Sequence, residues 1–206
     1  MDRRFALMLL AAAAVALAGI IVGLRGVSAT RTSTADPAIR AAASPFDGAL
    51  MPPGVRAPDF SLRDQHGRTV TMRGYRGRTV VVTFLYSHCH DTCPVEAQQI
   101  KGALDDLGHD VPVVAVSVDP AGDTPRSVRH FNREQGVTGR IRWALGSRSA
   151  LRRVWKGFAI LPQSEDQEHM ARIVLVDRKG LQRVGFPASQ TTPERLAHDL
   201  RLLERE

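Results

Sequence analysis

Residues 78–94 read Arg78-Thr79-Val80-Val81-Val82-Thr83-Phe84-Leu85-Tyr86-Ser87-His88-Cys89-His90-Asp91-Thr92-Cys93-Pro94. Positions 78–86 form a continuous apolar run, the pattern of a strand buried on both faces. From Thr92 to Leu107 the periodicity changes. Val95, Ala97, Ile100, Ala103, Leu104 and Leu107 recur near helical spacing, which predicts an amphipathic helix. The loop between strand and helix holds the only two cysteines of the chain, Cys89 and Cys93. In open α/β sheets, functional sites collect outside the carboxyl ends of strands, where this loop lies.

Moving outward, residues 111–118 read as a second buried strand. Thr124-Pro125 then supplies an N-cap and a proline at the first helical position. Residues 141–145 suit a short strand, and Ser147 caps a helix over 148–156. Positions 161–168 are polar and contain Pro162, hence a loop. Residues 170–176 read as a strand that turns at Asp177-Arg178-Lys179-Gly180 into another over 181–186. Thr192-Pro193-Glu194 opens a final helix. On the amino side, 57–62 and 68–72 flank a turn at Asp64-Gln65-His66-Gly67, a β-hairpin. The expected fold is α/β, a thioredoxin-like order β-α-β-α-β-β-α with an N-terminal hairpin and helices on both sheet faces.

The amino terminus predicts a membrane anchor. Asp2-Arg3-Arg4 precedes an apolar or small stretch from Phe5 to Leu24, followed by Arg25. Roughly 20 such residues span a bilayer, and flanking arginines hold that end in the cytoplasm. Residues 1–25 are therefore expected to form a single transmembrane helix, with the rest on the extracytoplasmic, periplasmic side. A cleaved signal peptide is the alternative, Val27-Ser28-Ala29 being a passable cleavage site, although signal h-regions usually run only about 7–15 residues. No cysteine lies near this stretch, which argues against a lipoprotein anchor. Residues 26–54, rich in Ala, Ser, Thr and Pro, read as a flexible linker, and 55–206 as the folded domain.

The formal charge is +7 at pH 7. Its arginines are scattered among acidic residues, with no basic stripe interleaved with aromatics, so nucleic acid is not an expected partner. Two cysteines four positions apart close too short a loop to staple a domain, so they point to chemistry. Free N–H groups at the helix start would favour thiolates, the form that ligates soft metals and attacks disulfides. On one helical turn, residues i and i+4 hold Cβ atoms roughly 5–6 Å apart. A disulfide wants about 3.5–4.5 Å, whereas two sulfurs on one metal tolerate the wider gap. A metal clamp, a redox-active pair and an inert disulfide or buried pair all remain open on spacing alone.

Three motifs in order are similar to the Sco/SenC family: Cys89-x-x-x-Cys93-Pro94 after an apolar strand, Val116-Ser117-Val118-Asp119-Pro120 leading to Asp123-Thr124-Pro125, and a lone His169 before a strand. The resemblance covers roughly residues 57–203. It implies a thioredoxin-like fold and a copper site of Cys89, Cys93 and His169, with Asp119 as a site-tuning neighbour. It also implies a role as copper metallochaperone to the CuA-bearing subunit of cytochrome c oxidase. Other copper chaperones and thioredoxin-like reductants are further expected partners. His90 departs from the family, which more often has proline there. Two thiolates favour Cu(I) and an added imidazole accommodates Cu(II). Zinc would want a fourth ligand, which His88 or His90 offers.

The plainer readings differ. His66, His109, His130 and His198 suit solvated or structural roles. Without the resemblance, His169 is a loop histidine and Asp119 a turn cap before proline. Trp143 and Trp155 read as core. The competing function is a thiol–disulfide oxidoreductase acting on the CuA cysteines or other exported disulfides, for which Cys89 and Cys93 would be catalytic. A copper sensor or store is a third class. Peroxiredoxin chemistry fits poorly, because its peroxidatic and resolving cysteines are further apart.

Overall fold

The structure, a computed structural model, describes residues 44–160 and 172–206. The expected anchor, most of the expected linker, and His169 lie outside the described residues. No helix among the described residues is long and apolar enough to cross a membrane.

Strand β4 (Val80–Leu85) is buried along its whole length, as its apolar run requires. It pairs in parallel with β5 (Val113–Ser117), which pairs in parallel with β6 (Ile141–Ala144). On its other side β4 pairs antiparallel with β7 (Arg172–Val176), followed by β8 (Gln182–Pro187) and the short β1 (Ala49–Leu50). The sheet order is therefore β1-β8-β7-β4-β5-β6. The expected hairpin forms a separate pair, β2 (Ser61–Arg63) and β3 (Thr69–Thr71), with Leu62 opposite Val70. It is shorter than its sequence suggested.

Among the described residues four α-helices cover the sheet: α1 (Thr92–Leu107), α2 (Pro125–Glu134), α3 (Arg148–Gly157) and α4 (Pro193–Arg205). The polar residue ahead of each of the last three caps it. Thr124, Ser147 and Thr192 accept the backbone N–H of Ser127, Ala150 and Arg195. Alternation along the strands splits the core. Val81 and Leu85 join Ile100, Leu104, Phe131, Trp143 and Leu200 under α1, α2 and α4. Val80, Val82 and Phe84 join Leu62, Val70, Leu151, Trp155 and Phe158 under the hairpin and α3. Both tryptophans are core residues, as expected.

One boundary is corrected. The expected linker to residue 54 contains β1, which aligns Ala49 with Gly185 and Leu50 with Val184. Buried Asp199 of α4 accepts the N–H groups of Asp47 and Gly48 at 2.8 and 2.9 Å, and Phe46 packs on the core. A side chain at Gly48 would run into Val184 and Phe186. The compact unit therefore begins at Ser44.

Candidate metal centre

Neither cysteine is in a disulfide, and both are buried at the point where β4 hands over to α1. They do not share a helical turn, contrary to the expectation. Asp91 caps α1 by accepting the N–H of Thr92, so Cys89 precedes the helix and Cys93 is its second residue. The Cys89 N–H donates to the Tyr86 carbonyl at 3.3 Å, closing a turn off the strand. The Cys89 Sγ then accepts the N–H of Cys93 at 3.3 Å and faces Asp91 Oδ1 at 3.2 Å. The helix start does aim a free N–H at a sulfur, as anticipated. For Cys93 the second half of that expectation reverses: burial pushes its thiol well above the ordinary range, overriding the helix end.

The neighbouring strand end supplies polar support. Asp119 follows β5 and its Oδ1 accepts the N–H groups of Ala121 and Gly122, at 3.2 and 3.1 Å. Its reading as a turn cap thus holds alongside its place beside the thiol loop. A Cβ on Gly122 would collide with the Asp119 carboxylate and come within 3.1 Å of His88 Nδ1, so both side chains crowd this glycine. His88 Nδ1 also lies 3.3 Å from Ser87 Oγ. His90 is exposed and lines a groove of about 600 Å³ with Asp91, Thr92, Val95, Glu96, Ala188 and Ser189.

Two buried carboxyls near the site carry no role in the sequence analysis, although Asp123 belongs to one of its quoted motifs. Asp123 accepts the Ser87 N–H at 2.7 Å and the Ser117 hydroxyl at 2.6 Å, and burial raises its pKa. Glu96 lies inside α1, hydrogen-bonded through Oε1 to Thr83 of β4, while its Oε2 is buried without a partner. Burial raises its pKa to about 7. The signal was in the spacing. Cys93, Glu96, Ile100 and Ala103 share one face, whereas Val95, counted as part of the apolar stripe, is 55 % exposed.

Antiparallel pairing starts β7 at the sheet end where β4 finishes, Ile173 aligning with Thr83. Arg172, three residues after His169, thus opens β7 on the cysteine side. The remaining histidines are engaged elsewhere: His109 with Glu204 and His130 with Glu134, while His66 is exposed in the hairpin turn. His198 Nδ1 lies 3.3 and 2.9 Å from the carboxylates of Asp47 and Asp199. Two buried sulfurs brought together at the start of α1 suit a soft monovalent metal better than a hard cation.

A thioredoxin-like α/β sheet with a Cys-x-x-x-Cys loop at a strand's carboxyl end defines a thiol-bearing, metal- or redox-active class. The SCO1/SenC family profile matches residues 52–204, and the chain belongs to that family. It is 35% identical over 122 residues to protein SenC of Rhodobacter capsulatus, covering 58% of this chain and 55% of that protein. The chain thus spans about half the length of this curated relative. The structure of Bradyrhizobium japonicum ScoI with copper bound matches with a TM-score of 0.61 and 28% identity over 72% of this chain and 99% of that one. BsSco, a member of the Sco family of cytochrome c oxidase assembly proteins in which a disulfide switch was identified, matches with a TM-score of 0.63. There the identity is 21%, over 73% of this chain and 94% of that one.

Proposed function

We propose that this protein binds copper through Cys89, Cys93 and His169 and delivers it to the CuA-bearing subunit of cytochrome c oxidase. The observation that carries this reading is the pair of buried cysteines, not joined in a disulfide, that meet at the start of α1, Cys93 N–H donating to Cys89 Sγ. Their softness fits Cu(I), and the matched ScoI structure holds copper. His169 would add the imidazole that Cu(II) favours, entering from the segment just before β7. Asp119 and His88, both crowding Gly122, would tune the site from the adjoining turn. Copper is the cargo here, and binding releases the thiol protons. Residues 1–25 would hold the domain at the outer face of the cytoplasmic membrane, where a CuA recipient is reached. Other copper chaperones or thioredoxin-like reductants would load or reduce the pair. His169→Ala should weaken Cu(II) binding by roughly 10–100-fold with the fold intact. Unchanged Cu(II) affinity would remove His169 from the ligand set.

A second reading, thiol–disulfide exchange with the CuA cysteines or another exported disulfide, is favoured by one observation. The Cys93 N–H donates to the Cys89 Sγ, so the two cysteines already meet. Steady turnover of a disulfide substrate by the metal-free protein, unaffected by His169→Ala, would establish it.

A further inference from the structure

The two thiols are held by different means. Cys93 is part of α1 and fully buried, so helix packing fixes it. Cys89 sits before the helix on a loop that leaves the sheet after Leu85, where parallel pairing with β5 ends at Ser117. Beyond the last backbone bond, from the Val118 N–H to the Leu85 carbonyl at 3.0 Å, the root of that loop is tied by a side chain 36 positions away in sequence. Asp123 Oδ1 accepts the backbone N–H of Ser87 at 2.7 Å, and Oδ2 accepts the hydroxyl of Ser117 at 2.6 Å. The Ser117 carbonyl in turn accepts Trp155 Nε1–H at 2.9 Å, locking this end of β5 to α3. The Ser87 hydroxyl donates to Ser127 Oγ at 2.9 Å, and Ser127 belongs to the capping box of α2. Asp123 itself is held from behind, its N–H donating to the Asp119 carbonyl at 2.9 Å.

We infer that Asp123 is a positioning residue for the thiol pair. Its carboxylate clamps the Ser87 end of the cysteine loop onto the β5–α2 turn and thereby sets where Cys89 stands relative to the helix-borne Cys93. This rests on the reading that the pair is the functional centre. The geometry makes the clamp specific: one buried carboxylate satisfies a loop N–H and a strand hydroxyl at once, and charge-assisted bonds of this kind are among the stronger ones. Asparagine can keep the bond to Ser87 and let the Ser117 hydroxyl turn to accept from its amide. Alanine removes both bonds.

The test uses the full chain with Asp123→Ala and Asp123→Asn, each first checked for folding by circular dichroism. Two readouts report on the sulfurs: the thiolate-to-copper charge-transfer band with Cu(II), and the dithiol–disulfide equilibrium of Cys89 and Cys93 against dithiothreitol. Folded Asp123→Ala should shift or weaken the band, lower copper affinity roughly 10–100-fold, and move the disulfide equilibrium by about tenfold. Asp123→Asn should restore most of each. If Asp123→Ala does not fold, Ser87→Pro removes the clamped N–H while leaving Asp123 bonded to Ser117, with Ser87→Ala as the control for the lost Ser127 contact, and the same changes are expected beyond those of the control. A folded Asp123→Ala, or Ser87→Pro in its place, with an unaltered disulfide equilibrium overturns the inference. An absent band in the unsubstituted protein instead defeats the Cu(II) part of the copper reading, and the disulfide equilibrium still decides the role of Asp123.

Discussion

Along β4, Val80, Val82 and Phe84 point toward α3 and the hairpin, whereas Val81, Thr83 and Leu85 point toward α1. On the α3 side the strand joins a large apolar and aromatic cluster, including an edge-on contact of Phe84 and Phe158 with ring centroids 5.3 Å apart. On the α1 side the same strand meets a buried glutamate, and at its end two thiols join the core. One face is scaffold, and the titratable side chains in or against its apolar cluster are the tyrosines Tyr75 and Tyr86. The other carries the chemistry, and its buried polar groups are a burden on stability that the scaffold face offsets.

This contrast can be broken most strongly at Phe84. Phe84→Ala empties the scaffold face where the ring is completely buried, and should destabilise the domain by about 3–5 kcal/mol, measured by urea unfolding. A loss below about 1 kcal/mol would mean that this face is not the main support. Glu96 tests the other face. Its raised pKa means that the folded state holds the proton more tightly than the unfolded chain does. Its contribution is therefore most favourable below about pH 4.5 and is lost as pH rises through about 7. Glu96→Gln should leave stability nearly unchanged at pH 4 and raise it by up to about 3 kcal/mol at pH 8. A difference between the two proteins that is flat across this range would contradict the assignment.

The smallest expected effect sharpens the scaffold side. The end of α3 forms a Schellman motif, with Ile160 N–H bonding to the Trp155 carbonyl at 2.8 Å and Ala159 N–H to that of Lys156 at 3.2 Å. Ala159 occupies the left-handed position, at φ 53°, where glycine is favoured. Ala159→Gly should stabilise by about 0.5–1 kcal/mol, read as a rise in Tm. A fall would show that the turn holds Ala159 without strain.

How far sequence reached follows from the range over which each feature acts. The β4–α1 unit was legible because a continuous apolar run and a helical period are local signals, and the bounds of α1 fell on Thr92 and Leu107 as read. The caps at Thr124, Ser147 and Thr192 were legible for the same reason. β1 was not, because its evidence is a clamp from Asp199 some 150 positions away and two residues of pairing, which leave no periodic trace. The cysteines were found, but their geometry was set one step wrong. Reading both onto one helical turn overlooked Asp91, whose side chain starts α1 after Cys89. Burial of Cys93 then reverses the effect expected of the helix start. Glu96 was missed because a charged residue reads as the solvent side of a helix, although its spacing from Cys93 and Ile100 places it inside. The matching role of Asp123 is a tertiary contact, invisible until β4 and β5 are side by side.

The central claim is that Cys89 and Cys93 together hold copper. The most direct test titrates the purified, fully reduced protein with Cu(I) and with Cu(II) under anaerobic conditions, following stoichiometry and thiolate-to-copper absorption. One tightly held copper per chain, with a charge-transfer band that disappears in Cys89→Ser and in Cys93→Ser, is the predicted result. Weak binding that survives either substitution, together with efficient disulfide exchange by the metal-free protein, would contradict it.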